Sequence, residues 1–543
     1  MKKYDVILRN GTIYDGGGGP AIVGDVAISG DRIAAVGQVH NAAGKTEIDV
    51  EGLAVAPGFI NILSWAPVSL IVDGRSQGNI RQGVTLEVVG EGSSMGPLSP
   101  TMKKNMQERQ NDIKFDVAWN TLGEYLEHME RRGISTNLAS FVGATTVRVN
   151  EVGYEDRAPT AAELDRMREL VREAMREGAV GMSTALIYAP ACYAKTDELI
   201  ELCKVVAEHD GLYISHIRSE GDEILTALEE FFTIAREATV RSEIYHLKVM
   251  GKHNWHLMDE VIKRVEAERA RGLAVTADMY TYPANGTGLN ATMPPWVQEG
   301  GFPAWHARLK DPEIRKRVAA EMRAPSRDWE NILLLAGSPE RVLLVDLKKP
   351  ENKPLIGKTL ADVARLWSLS PEEAAMELVV RDETRVECVY FTMSEDNVRR
   401  QVALPWVCFG SDAPSMAPEG VFLKSSTHPR AYGTFARVLG KYVRDERVMP
   451  MEKAIRKLAA LPADSLRLDR RGRLAPDYFA DVVVFDPLKV QDYATFENPH
   501  QYSTGFVHVF VNGGQVLRDG EHTDARPGRV VRGPGWVGQR AKT

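Results

Sequence analysis

Leu212-Tyr213-Ile214-Ser215-His216 is followed, 30 residues after its histidine, by Ile244-Tyr245-His246-Leu247-Lys248. Each is an apolar run of the length of a buried strand, and each carries a histidine toward its C-terminal end. Runs of the same texture flank them at Val180 to Leu186 and Ala274 to Tyr280. They return roughly every 31 residues, with amphipathic helical stretches between. The clearest such stretch opens on Thr160-Ala161-Ala162-Glu163, the form of a capping box, and carries Leu164, Met167, Leu170, Val171 and Met175 at helical spacing up to Gly178. Strand, helix and strand at that period make βαβ units and a parallel sheet. Polar groups gather at the C-terminal ends of these runs, which favours a (β/α)8 barrel over an open doubly wound sheet. No Gly-x-Gly-x-x-Gly opens a helix after a first strand, so a nucleotide site has no support.

Away from the middle the texture changes. Asp5 to Arg9, Asp25 to Ser29 and Arg32 to Val36 read as short strands between glycine turns, with Asn10-Gly11 and the run Gly16 to Gly19 between them. The tail repeats this in Ala480-Asp481-Val482-Val483-Val484-Phe485-Asp486 and in Val507 to Val511 followed by Asn512-Gly513-Gly514. The expected fold class is therefore α/β, a (β/α)8 TIM barrel with a small β-sandwich domain built from both chain ends. Residues 1–57 and 476–543 would supply the small domain and 58–475 the barrel, with an insertion at about 288–400, read as helical, lying over the barrel mouth.

The 543 residues are too many for one small core. A formal charge of −7, with no basic stripe set among aromatics, argues against nucleic acid as a partner. The opening Met1-Lys2-Lys3-Tyr4-Asp5 leads into no signal-peptide apolar core. Nowhere do about 18 apolar residues run together, so export and membrane insertion are both disfavoured and a cytoplasmic location is expected. Cys192, Cys203, Cys388 and Cys408 contain no Cys-x-x-Cys and read as reduced core residues. A small-molecule substrate is the expected partner, and a homo-oligomer is left open.

His216 and His246 occupy equivalent places in adjacent βα units, which puts both rings at one mouth. Strand alternation gives Ile244, His246 and Lys248 a common face, and an ammonium beside a metal ligand suggests anion recognition. Asp278 and Tyr280 share parity one unit later, and Val407-Cys408-Phe409-Gly410-Ser411-Asp412 reads as a last strand ending in an acid. Imidazoles with a carboxylate at strand ends are ligands of the zinc type.

Several stretches, in order along nearly the whole chain, resemble the D-aminoacylase (N-acyl-D-amino-acid deacylase) branch of the amidohydrolase superfamily. They are Asp5-Val6-Ile7-Leu8-Arg9-Asn10-Gly11, Ala56-Pro57-Gly58-Phe59-Ile60, Ser183-Thr184 with Tyr188-Ala189-Pro190, Ser215-His216-Ile217-Arg218, His246-Leu247-Lys248, Gly410-Ser411-Asp412 and Ala480 to Asp486. The stretch His428-Pro429-Arg430-Ala431-Tyr432-Gly433-Thr434-Phe435 is the one specific to that branch. The resemblance implies a metal-dependent barrel with a small β domain formed by both ends.

Two departures from the family pattern stand out. After Gly58-Phe59-Ile60 the family has an acid and then His-x-His, whereas this chain has Asn61-Ile62-Leu63-Ser64-Trp65, with Leu63 and Trp65 in the places of the histidines. Where the family has a metal-binding cysteine after Val-Val-Gly, Val88-Val89-Gly90 runs into Glu91. The resemblance then implies one divalent metal ion, zinc by its donor set, held by Glu91, His216 and His246, with Asp412 as catalytic proton carrier. Lys248, Tyr280 and Arg430 match positions that hold the substrate carboxylate, and Thr287 follows Gly286, which stands where the family has a serine. The expected function is a metal-dependent amidohydrolase that deacylates an N-acyl-D-amino acid or related acylated amine. Hydrolysis of dipeptides, cyclic amides or carbamates, acyl transfer, and ligand binding without catalysis are the competing readings.

Overall fold

The computed structural model describes residues 2–538. The middle of the chain lays down eight parallel strands. They are β1 (Phe59–Ser64), β2 (Val84–Val89), β3 (Asn137–Ser140, continued by Val142–Gly143), β4 (Gly181–Ala185), β5 (Leu212–His216), β6 (Arg241–Ile244), β7 (Val275–Met279) and β8 (Val407–Phe409). Each pairs in parallel with the next. Beyond β8 a parallel bridge joins Ala413 to Ser64, and the Asp412 N–H donates to the Leu63 carbonyl at 2.9 Å, so the ladder returns to its first strand.

Alternation along the strands divides the apolar residues between two cores. Ile60, Ile62, Leu86, Val88, Ala139, Phe141, Leu212, Ile214 and Cys408 pack together inside the ring of strands. Outward residues such as Met182, Tyr213, Ala277 and Phe409 join the helices in the larger core. His216 lies two residues beyond Ile214 and continues its inward face. The helix Ala161–Glu177 carries the expected capping box between Thr160 and Glu163, buries Met167, Val171, Ala174 and Met175, and ends on Gly178 at φ 113°.

One strand is shorter than its apolar run suggests. β6 stops at Ile244 rather than continuing to Lys248. The Asp278 carboxylate accepts the His246 N–H at 3.1 Å, the Asp278 carbonyl accepts the Leu247 N–H at 2.8 Å, and His246 adopts a left-handed φ of 31°. A residue in that conformation cannot continue a strand. The direction of Lys248 is therefore set by its own partners and not by strand alternation.

The segment between β7 and β8 also differs from its sequence reading. Besides helices it holds an antiparallel sheet of Asn285–Gly288, Val342–Asp346 and Glu387–Tyr390 over a core of its own that includes Leu289, Trp305, Leu344 and Leu378. These strands pair over long separations, and nothing local distinguishes them from helix connectors.

The chain ends build one continuous nine-stranded sheet. Lys2–Ile13 pairs with Ile22–Ser29, Ala42–Asp49 and Ala54–Pro57, and Ala54–Pro57 pairs antiparallel with Val482–Phe485 from the other end. Leu8, Ile28, Ile33, Val482, Val484 and Phe510 share one core. Val483, Phe485, Val509 and Val511 face the opposite way into the core of the parallel strands. Past His522 the chain leaves this sheet. Leu138 and Val531 hydrogen-bond the tail to β3, and Gly533 donates to the Gly178 carbonyl at 2.9 Å. Among the described residues no helix is long and apolar enough to cross a membrane.

A buried polar knot fastens these parts together. Asp481 pairs with Arg471 and accepts the Asn512 N–H at 2.8 Å, and Asn137 of β3 donates to it. Asn512 in turn donates to Asn137 at 2.7 Å. Removing one partner of a buried ion pair strands the other charge, at a cost of about 3–5 kcal/mol. Asp481→Ala is accordingly expected to lower the unfolding free energy by that order, read as a lower denaturant midpoint, and an unchanged midpoint would show that the knot does not stabilise the fold.

Candidate active site

Glu91, His216 and His246 come together although they lie at the ends of three different strands. Their donor atoms fall within 4.8 Å of one another, and all three side chains are buried. β2 ends at Val89, and Gly90, at φ 103°, turns the chain so that Glu91 enters the mouth. A Cβ on Gly90 would sit 2.6 Å from the Phe141 carbonyl oxygen, so both its conformation and its surroundings require glycine. Glu91 Oε1 lies 3.3 Å from His216 Nδ1 and 3.0 Å from His246 Nε2. Burial alone would raise the Glu91 carboxyl, but hydrogen bonds and charge from the two imidazoles hold it well below the usual carboxylate range.

Asp412 follows β8 at a left-handed φ of 49°. Its Oδ2 lies 2.7 Å from Arg430 Nη1, and its Oδ1 accepts the Trp65 indole N–H at 3.0 Å. Burial raises the Asp412 carboxyl, Arg430 opposes it, and the neighbouring Glu91 charge raises it further. A buried carboxylate with raised proton affinity beside a ligand cluster is suited to proton transfer. Two of the site's residues, His246 and Asp412, thus hold backbone conformations that side chains of their type adopt rarely.

Of the residues expected to hold an anion, Lys248, Thr287 and Arg430 line the cavity, and Tyr280 is buried beside Arg430. The Arg430 guanidinium lies 4.5 Å from the centre of the Tyr280 ring, and its Nε and Nη1 make no hydrogen bond of good geometry. The Tyr280 hydroxyl has only the Met393 sulfur, at 3.6 Å. Thr287 is buried and lines the cavity, and a Cβ on the adjacent Gly286 would come within 3.3 Å of Arg430 Nη2. Lys248 is already engaged. Its ammonium donates to Glu220 Oε1 at 2.6 Å and to the His246 carbonyl at 3.0 Å, and lies 2.7 Å from His246 Nδ1.

Glu220 is the acid that the sequence reading missed. It stands four residues after His216, with Oε2 3.4 Å from His216 Nε2 and Oε1 3.0 Å from His246 Nδ1. Burial favours its neutral form, yet the charges of His216, Lys248 and His246 keep it well below the usual carboxylate range. An acid a few residues past a strand-end histidine was the available signal, since a ligand imidazole commonly gives its second nitrogen to a carboxylate. Asp278 also acts from behind, through the His246 backbone. All of this opens on a cavity of about 1190 Å³, walled by Trp65 and Tyr188 and, from the segment between β7 and β8, by Asn290 and Arg385.

The comparisons bear on this geometry. A D-aminoacylase from Alcaligenes xylosoxydans xylosoxydans is 35% identical over 533 residues, 97% of each chain. The chain belongs to the D-aminoacylase family of amidohydrolases. Residues 374–517 match the model of the Amidohydrolase family. Among solved structures of this family, N-acyl-D-glutamate deacylase from Bordetella Bronchiseptica, complexed with zinc and a phosphonate mimic of the tetrahedral intermediate, is 30% identical with a TM-score of 0.80. The match covers 98% of this chain and 100% of that one. A D-aminoacylase structure concerned with a binuclear metal centre, its one-metal activation and its second-metal attenuation, is 34% identical with a TM-score of 0.81 and coverages of 97% and 100%. D-aminoacylase relatives therefore hold metal ions, and this member of the family has three converged side chains able to hold one.

The Lys248–Glu220 pair gives a test of the arrangement. Lys248→Met should destabilise the fold by about 3–5 kcal/mol, because it leaves a buried carboxylate without its ammonium. Lys248→Met combined with Glu220→Gln should recover much of that loss, as measured by urea unfolding. Additive losses would mean that the two side chains do not act as a pair.

Proposed function

We propose that this chain is a metal-dependent amidohydrolase that removes the acyl group from an N-acyl-D-amino acid by hydrolysis of the C–N amide bond. The observation that carries the reading is the convergence of Glu91, His216 and His246 beside Asp412 in a member of the D-aminoacylase family. Two imidazole nitrogens and a carboxylate are the donor set of a zinc site with room left for a reactant. His216 Nδ1 and His246 Nε2 both face Glu91 Oε1, at 3.3 and 3.0 Å, within reach of one ion. Leu63 and Trp65 offer no ligand atom, so the site is read as mononuclear.

The framework is read as a (β/α)8 barrel over 58–475, closed by the Ser64–Ala413 bridge, with the insertion at about 288–400 walling its mouth. The single sheet built by both chain ends is read as folding over its own core of Leu8, Ile28, Val482 and Phe510 in the manner of a β-sandwich.

A divalent ion at this site supplies a Lewis acid that polarises the amide carbonyl and lowers the pKa of water. The chain's own groups do the rest. Asp412, with its raised proton affinity, takes a proton from the attacking water and delivers it to the leaving nitrogen. Arg430 anchors the substrate carboxylate with donors that Asp412 leaves open, and the hydroxyls of Tyr280 and Thr287 complete the anion site. Lys248, held by Glu220, adds positive charge to the cavity lining. Glu220 fixes the rings of His216 and His246 from behind.

Elemental analysis after gentle purification should find about one equivalent of zinc, lost in His216→Ala and His246→Ala and weakened in Glu91→Gln. Asp412→Asn should keep the ion and lower turnover of N-acyl-D-amino acids by at least about 10²-fold. Two tightly held equivalents would overturn the mononuclear reading, and full amidase activity without metal would overturn the mechanism.

Arg430→Leu should raise KM for acylated amino acids by about tenfold or more while changing KM little for the corresponding amides, because it removes a charge-assisted hydrogen bond to an anion. Equal effects on acid and amide would place Arg430 outside the anion site.

A further inference from the structure

The departure at β1 leaves a side chain with a contact of its own. The Trp65 indole Nε1 lies 3.0 Å from Glu91 Oε2 and 3.0 Å from Asp412 Oδ1, so one N–H is shared between two buried carboxylates. Each carboxylate gives its other oxygen to a group in the proposed chemistry. Glu91 Oε1 faces both histidines, and Asp412 Oδ2 faces Arg430.

The backbone builds this contact. The Asp412 N–H donates to the Leu63 carbonyl at 2.9 Å, and the Trp65 N–H donates to the Ala413 carbonyl at 3.1 Å, which locks residue 65 against the end of β8. On the other side Ser64 pairs with Val89, two residues before Glu91. Trp65 therefore stands where three strand ends meet, and its indole nitrogen is the point they share.

We propose that Trp65 is a positioning residue whose neutral N–H bridges Glu91 and Asp412, holding one as a metal ligand and the other as a proton carrier in a site built for a single ion. The inference rests on the metal reading above. The physical need is plain, because two carboxylates this close repel each other once water is excluded, and a donor between them offsets that repulsion. An indole does so without carrying charge and without offering a lone pair to metal. It also fixes which oxygen of each carboxylate faces its partner, which decides whether Glu91 Oε1 points at the two imidazoles. The ring is 40% exposed on the cavity wall, so its packing role is small beside its hydrogen bonds.

The test separates the N–H from the ring. Trp65→Phe removes the donor, and replacement of Trp65 by β-(3-benzothienyl)alanine removes it with the ring shape kept. Zinc affinity is read by competition with a chromophoric chelator, alongside kcat, KM and the thermal midpoint. Both replacements should bind zinc about 10- to 100-fold more weakly, as expected for loss of a group that orients a ligand. kcat at saturating zinc should fall about tenfold or more, with KM within about twofold and, for the isosteric replacement, an unchanged thermal midpoint. Wild-type zinc affinity and kcat in the isosteric replacement would overturn the proposal, whatever Trp65→Phe does to folding. Absence of zinc from the unmodified protein would instead overturn the metal reading beneath it, so the two failures are distinguishable.

Discussion

Three carboxylates, Glu91, Glu220 and Asp412, are buried at one end of the parallel strands, and the structure around them is organised by the need to pair them. An unpaired buried charge is too costly to keep, so each acid has recruited partners. Glu91 has two imidazoles and an indole, Glu220 has two imidazoles and an ammonium, and Asp412 has the same indole and a guanidinium. The imidazoles sit between Glu91 and Glu220 and couple them into one network. An ion held by Glu91, His216 and His246 would bring further positive charge to that network, and each ligand imidazole would bind it in the neutral form.

The parallel strands make that pairing geometrically possible. Eight short strands in parallel register bring their C-terminal ends to one place, and the return from Ala413 to Ser64 sets Asp412 beside residues that precede it by nearly 350 positions. His246 and Asp412 then leave the regular backbone, at φ values of 31° and 49°. Both departures are stabilised by specific hydrogen bonds, the His246 N–H donating to the Asp278 carboxylate and the Asp412 N–H to the Leu63 carbonyl. Strain held in this way aims side chains where regular strands could not.

Trp65 and Glu91 meet across neighbouring strand ends, where the indole N–H lies 3.0 Å from the Glu91 carboxylate. The same N–H reaches Asp412, so one donor serves two acids. The segment between β7 and β8 is organised around its own core, lends Asn290 and Arg385 to the cavity wall, and reaches the charged network through Glu330, whose carboxylate accepts the Glu220 N–H at 2.7 Å.

Local pattern was enough for much of this protein. The period of the apolar runs, the capping box at Thr160 and the β texture of both ends are short-range signals, because they depend on alternation and on hydrogen bonds within a few residues. His216, His246 and Asp412 were legible because strand-end position and side-chain chemistry coincide, and Glu91 only through the family resemblance at Val88-Val89-Gly90. Glu220 and the Trp65 bridge were not legible. A loop acid and an exposed indole carry no periodicity, and their roles arise only when strands distant in sequence are closed on one another. The end of β6 at Ile244 and the engagement of Lys248 by Glu220 belong to the same class, since an Asp278 carboxylate from the next strand and a loop acid decide them. Sequence alone set the elements and most of the candidate ligands. Tertiary structure alone decided which donors those carboxylates share, because buried charges are paired by proximity in space and not by order along the chain.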